Sequence, residues 1–288
     1  MVLDEADKMM DMGFMPQLRN LLEIIPVKRQ NLLFSATMPD KVITLSQEFL
    51  EFPEKVAVTP DHTVAETVKH FFYEVPNLKT KINLLTHLLS SYEDDEEFSK
   101  AIIFTKTKAN ADNVYKYLLR KVTKEVKVIH GNKDQNTRTN AIKDFSDGDF
   151  SILVATDVVA RGIDISAVSH VINFDVPVVY EDYVHRIGRT GRAKRSGVAV
   201  TFVNPAEEYH MKGVEKLINQ SVPMLPLPER VTVEKTDREE SQAIAREIDG
   251  QRKKEDPNFK GAFHQKKSKS TKPNKTSGKS FKKPKKRR

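Results

Sequence analysis

Five short, mainly apolar runs recur in the middle of the chain, at residues 101–104, 126–129, 152–155, 171–174 and 198–203, broken only by Lys127, Asn173 and Thr201. A strand with one wet face alternates apolar and polar residues. Continuous runs of four to six suit strands covered on both faces, as in a parallel sheet. Parallel strands need long crossovers, and the segments between the runs have helical spacing: Ala111, Val114, Leu118 and Val122 fall on one face. Asn204-Pro205 is a cap and first-turn pair that opens a helix toward Ile218. The alternation predicts a doubly wound α/β domain over residues 70–220.

Residues 1–58 read as a smaller α/β piece. Strands are expected at 2–3, 31–34 and 55–58, with helices over 14–25 and 39–49. Residues 59–69 are polar and read as a linker. Beyond Ser221 a Pro-rich stretch at 223–228 breaks the pattern, and a charged segment at 237–254 is expected at most as a lone helix. The extension 221–288 is predicted to be largely disordered.

Net charge is +8, but it is unevenly placed. Residues 251–288 hold 16 Lys and Arg against 2 acids, a net of +14, so the first 250 residues carry +8 less +14, or −6. A single-sign tail points to a polyanion, and Phe259, Phe263 and Phe281 among the charges suit stacking on bases. A merely solvated tail would have the same charge. The chain has no Cys, which excludes disulfides and thiolate metal sites and fits a reducing, cytoplasmic compartment. No run of about 18 apolar residues suggests a membrane span. The acidic start, Asp4 and Glu5, is unlike a secretory signal.

Four motifs carry chemistry. Val2-Leu3-Asp4-Glu5-Ala6-Asp7 ends an apolar strand in adjacent carboxylates, at the sheet edge where α/β folds bind ligands; such acids can hold Mg²⁺ and orient a water, or form a plain acidic turn. Ser35-Ala36-Thr37 follows the apolar residues 32–34, and by itself is as much a turn as a relay. Ala155-Thr156-Asp157 runs into Ala160-Arg161-Gly162-Ile163-Asp164, which suits either a grip on a phosphate backbone or a loop with an internal Arg–Asp pair. His185-Arg186-Ile187-Gly188-Arg189-Thr190-Gly191-Arg192 places three Arg within seven residues, a composition expected outside the core and suited to phosphate oxygens.

In this order the four resemble motifs II, III, V and VI of the DEAD-box RNA helicases. Residues 102–108 look like motif IV, and Gln135 with Arg138 looks like the Q-x-x-R element. His130-Gly131-Asn132-Lys133 and the basic extension resemble the bacterial RhlE-like subfamily. The resemblance covers about residues 1–220 and implies two RecA-like domains, the first partial and the second complete. It implies an RNA-stimulated ATPase, with ATP and Mg²⁺ as cofactors and RNA as partner. Asp4 would hold Mg²⁺ through water and Glu5 would activate the hydrolytic water. Asp7, Ser35 and Thr37, with His185 across the cleft, would couple hydrolysis to closure. Arg189 and Arg192 would be arginine fingers, and Asp164 would contact the ribose. Thr107, Lys108, Gly131, Gln135, Arg138, Thr156, Arg161 and Gly162 would line the RNA path.

The sequence departs from the family in two respects: the adenine-reading Q motif is missing, and no Gly-x-x-x-x-Gly-Lys-Ser/Thr phosphate loop occurs in it, since Gly278-Lys279-Ser280 is preceded by Pro273 where a Gly is required. The chain is therefore expected to be a fragment that binds ATP poorly, with Phe14, Leu18, Leu22 and Phe34 poorly covered. A non-catalytic RNA-binding module is the alternative.

Overall fold

The computed structural model describes residues 1–35, 37–57, 67–92, 97–157, 168–191, 196–256 and 258–259. The chain divides into two compact units, Met1–His62 and Thr63–Arg288.

The first unit contains β1 (Val2–Leu3), α1 (Ala6–Asp11), α2 (Met15–Ile24), β2 (Leu32–Leu33) and α3 (Asp40–Phe49). The two strands pair in parallel, Val2 with Leu32 and Leu3 with Leu33. Pro16 sits in the first turn of α2, where its missing N–H has no helical partner to lose, and Pro26 stops the helix. Helix α3 buries Val42, Leu45 and Phe49, one helical face, against Leu3, Ala6, Met10 and Leu18. Coverage is uneven in a way the sequence reading missed in part. Phe14 and Phe34 are exposed as expected, at 38% and 54%, whereas Leu18 lies in the core and Leu22 packs on its margin. Residues 55–57 form no strand, and Val58 lies outside the described residues.

The second unit is one parallel sheet. Its elements are β3 (Val68–Glu74), α4 (Leu78–Tyr92), β4 (Ala101–Thr105), α5 (Lys108–Lys121), β5 (Val126–Ile129), α6 (Gln135–Asp147), β6 (Ile152–Thr156), β7 (His170–Asn173), α7 (Glu181–Ile187), β8 (Gly197–Val203), α8 (Glu208–Ile218), β9 (Met224–Leu225) and α9 (Arg238–Glu255). The strand order is β5-β6-β4-β7-β8-β3-β9, with every pair parallel. Successive residues of one strand enter opposite cores: Ile102 and Phe104 lie in one, Ile103 in the other, and Leu153 and Val154 divide likewise. This explains why the runs are mainly apolar rather than alternating. Each such side chain contributes roughly 1.5–3 kcal/mol on leaving water. Helix α5 buries Ala111, Val114 and Leu118 as their spacing predicts, and Asn204 Oδ1 accepts the amides of Ala206 and Glu207 at the turn leading into α8.

The expected break at Ser221 is not where ordered structure ends. Strand β9 joins the sheet beside β3, and Val222 and Val231 are buried in the two cores. Helix α9 is docked rather than lone: Glu240 Oε1 accepts the Leu78 amide at 2.6 Å, Glu247 pairs with Lys106 at 2.7 Å, and the buried Gln251 donates to the carbonyl of Ala206 at 2.8 Å. The mostly charged composition of 237–254 disguised these anchors, because they are hydrogen bonds and ion pairs rather than apolar contacts. Residues 260–288, the most basic part, lie outside the described residues.

Candidate functional site

In the first unit, strand pairing delivers the acidic motif to a sheet edge. Phe34 N donates to Leu3 O at 2.8 Å and Ala6 N to Phe34 O at 3.0 Å, so the chain turns sharply between them. Glu5 takes that turn at φ 51°, a left-handed conformation that is strained for a residue with a side chain. Asp7 then points inward and is buried. Its Oδ2 accepts both the amide of Thr37 at 3.0 Å and the Thr37 hydroxyl at 2.8 Å. Ser35 Oγ accepts the Asp7 amide at 3.1 Å and donates to Thr37 O at 2.7 Å. Burial pushes the Asp7 carboxyl up, but the bonds from Thr37 and from the Lys8 amide outweigh it and hold the group below its ordinary value. Asp7, Ser35 and Thr37 thus form one hydrogen-bonded unit. Asp4 is exposed and accepts the Glu5 amide at 2.9 Å.

In the second unit the candidate residues gather at the carboxyl ends of the strands. Thr105 and Thr156 are register partners at the ends of β4 and β6. Thr107 caps α5, its Oγ1 accepting the Asn110 amide at 3.1 Å. Lys108, on the first turn, donates to Asn132 Oδ1 at 2.7 Å and lies beside Gly131. His130 Nδ1 accepts the Asn132 amide, which leaves Nε2 to donate to Asp112 Oδ1 at 3.1 Å. That bond lowers the Asp112 carboxyl and ties the 130–132 turn to α5. Arg138 donates to Gln135 one turn away on α6. Thr156 is buried, so its side chain is less open to a ligand than those of Thr107, Lys108 and Gln135.

Helix α7 carries the arginine motif. His185 is half-exposed, with Nδ1 3.8 Å from Asp182 Oδ1. Arg189 follows the helix and is part-buried. Gly191, at φ +69°, lets the chain pass Val68, whose methyl would lie 2.4 Å from an added Cβ. Arg186 corrects the expectation that this segment stays out of the core. It is buried, its Nε and Nη2 hold the two oxygens of Asp157 at 2.6 and 2.8 Å, and its Nη1 donates to Asn173 Oδ1 and Asp175 O. Its guanidinium also lies 5.1 Å from the Phe104 ring centroid. Arg161, Gly162, Asp164 and Arg192 lie outside the described residues.

Two polar networks beneath this edge were not foreseen. Lys81, Asp175 and Glu207 form a buried charged cluster, with Lys81 Nζ 3.0 Å from Asp175 Oδ1 and 2.6 Å from Glu207 Oε2. Their signals were slight: a Lys on the apolar stripe of α4 beside Leu84 and Leu85, and acids just past an apolar run and just past Asn204-Pro205. The second network runs across the sheet: Asn173 Nδ2 donates to Thr201 Oγ1, Thr201 is bonded to Tyr183, and Tyr183 Oη meets His70 Nδ1 at 3.1 Å.

Among the described residues no group of three or more His, Cys, Asp or Glu is gathered to hold a metal ion. An exposed lone carboxylate such as Asp4 fits Mg²⁺, which keeps most of its waters and takes one or two carboxylates besides phosphate oxygens. No described helix is long and apolar enough to cross a membrane.

A parallel sheet with crossover helices, gathering hydroxyls, Lys and Arg at its carboxyl edge, defines a RecA-like α/β domain. Residues 1–45 match the DEAD/DEAH box helicase family model and residues 80–194 the helicase conserved C-terminal domain, together more than half of the chain. The chain belongs to the DEAD-box helicase family. It is 42% identical over 228 residues to the DEAD-box ATP-dependent RNA helicase CshA of Geobacillus kaustophilus, covering 79% of this chain and 47% of that protein. It is 39% identical over 227 residues to the DEAD-box ATP-dependent RNA helicase RhpA of Helicobacter pylori, covering 79% and 45%. The fold is similar to that of S. cerevisiae Dbp5 bound to RNA and ADP BeF3, with a TM-score of 0.68, 29% identity, and coverage of 86% of this chain and 62% of that one. The chain spans about half the length of the curated relatives it matches.

Proposed function

We propose that this chain belongs to an ATP-driven RNA remodelling enzyme and supplies its second RecA-like domain together with part of the first. The observation that carries the reading is convergence: residues 105–108, 130–138, 156–157 and 185–189 come from separate stretches of sequence and meet at one edge of one sheet. Contacts from such loops to phosphate and sugar give affinity without sequence specificity. In that role Thr107, Lys108, Gly131, Gln135, Arg138, Thr156, Arg161 and Gly162 line the path of an RNA strand. Asp164 meets the ribose of ATP, and Arg189 and Arg192 meet its terminal phosphate, where fixed cations are worth about 10³ to 10⁵ in rate.

Asp4 would hold Mg²⁺ through water, which supplies neutralising charge at the phosphates when bound. Glu5 orients the attacking water. The bonded trio Asp7, Ser35 and Thr37, with His185, transmits the state of the nucleotide to the closing of two domains around RNA. Within the family, the turn His130-Gly131-Asn132-Lys133 and the basic C-terminal segment support placement beside the bacterial RhlE-like proteins, acting in the cytoplasm.

A second reading, RNA binding without turnover, is favoured for these 288 residues by one sequence fact: they contain no phosphate loop. RNA-stimulated ATPase with Mg²⁺, measured beside Arg189→Ala, separates the two. Stimulated turnover lost in the variant supports the enzyme reading for this chain. Salt-sensitive RNA binding without turnover supports the binding reading. Absence of both overturns the proposal.

A further inference from the structure

We infer that Asp175 is a positioning residue that fixes the turn at residues 106–110 for its grip on an RNA backbone; the inference rests on the RNA reading above. Strand β4 pairs with β7 only as far as Phe104 with Asn173. Past that point the ladder stops, and Asp175 takes over from both sides. Its amide reaches Phe104 O at 3.4 Å, and its side-chain Oδ2 accepts the backbone amide of Lys106 at 2.9 Å and Asn110 Nδ2 at 3.2 Å. A carboxylate thus replaces the next rung of the sheet and holds the first turn of α5, from which Thr107 and Lys108 project.

The same carboxylate is locked from below. Lys81 Nζ spends all three protons, on Phe174 O, Asp175 Oδ1 and Glu207 Oε2. Glu207 in turn accepts the amides of Val176 and Asn204. The three side chains are all nine-tenths buried or more. Two buried carboxylates share one ammonium, an arrangement that apolar residues of equal volume commonly match or better in stability. What such residues could not supply is a directed, charged acceptor at the strand exit. The main-chain oxygen of Asp175 also takes Arg186 Nη1, whose other nitrogens hold Asp157, so one residue registers three edge segments against each other.

The test uses the full chain and a short single-stranded RNA, with Kd read across a series of salt concentrations. Asp175→Asn removes the charge. Asn110→Ala loosens the same turn while leaving the buried cluster whole, so it reports even if the first variant folds poorly. Each is expected to weaken binding by roughly three- to tenfold, the net scale of one ordinary hydrogen bond lost from the turn. Each should also flatten the slope of log K against log salt by about 0.7, one phosphate contact on a single strand. In a Lys108→Ala background neither should weaken binding much further, because both act through the turn that Lys108 sits on. Losses that add to that of Lys108→Ala, or an unchanged slope in folded Asn110→Ala, overturn the inference. A parent chain with no salt-sensitive RNA binding overturns the RNA reading itself, and the inference with it.

Discussion

At the scale of single residues, the arginine motif shows how one short segment divides its labour. Arg189 sits part-buried beyond the end of its helix, while Arg186 turns inward and is bonded on every nitrogen. Truncating Arg186 to Ala strips partners from Asp157, Asn173 and the Asp175 carbonyl at once. It should destabilise the second unit by about 3 kcal/mol, the lower end for breaking a buried pair because Asp157 keeps some contact with water. Urea denaturation checks this, and Arg186→Lys should rescue only in part, since an ammonium cannot chelate two oxygens side by side. The sequence marked these residues as phosphate ligands by composition alone. Composition could not separate an inward from an outward Arg, because that depends on Asp157 lying at the end of β6, a neighbour 29 residues away.

At the scale of elements, the mainly apolar runs made the central strands legible almost to the residue, since burial on both faces makes nearly every strand residue apolar and leaves the polar residues to mark the strand ends. The trio Asp7, Ser35 and Thr37 was equally legible, though only through the motifs and not through any local spacing. Helix α9 was not legible as a docked element, because its anchors Glu240, Glu247 and Gln251 read as solvated polar residues until their partners on other elements are known. Two deletions test the distinction. Removing residues 260–288 should leave the melting temperature unchanged and flatten the salt dependence of RNA binding, because it takes charge and no described packing. Removing 238–288 should also lower the melting temperature, as Leu78, Lys106 and Ala206 lose their partners. Equal melting temperatures for the two would mean that α9 contributes nothing to the fold.

For the molecule as a whole, acid stability is governed in part by two buried histidines. His70, facing Tyr183, is lowered by burial. His210 packs against Tyr180 and Tyr209; burial lowers it, Lys106 and Lys254 lower it further, and Glu247 opposes them. In the unfolded chain both titrate near the ordinary value of about 6.5. As pH falls below that value the unfolded chain takes up protons first, so stability present above it is lost on the way down to the folded values. The urea midpoint of the second unit should therefore fall between pH 7.5 and 5.5, and the fall should shrink when both residues are Gln. A midpoint independent of pH over that range would exclude the effect.

Lys81 has a further consequence. Every proton on its ammonium is committed and 2% of its side chain meets solvent, in a chain whose other described lysines mostly lie at the surface. Amine-reactive reagents will modify those at once and leave Lys81 until the sheet opens. Its rate of acylation is thus a built-in clock for the opening of the second unit, readable by mass spectrometry without any engineered probe.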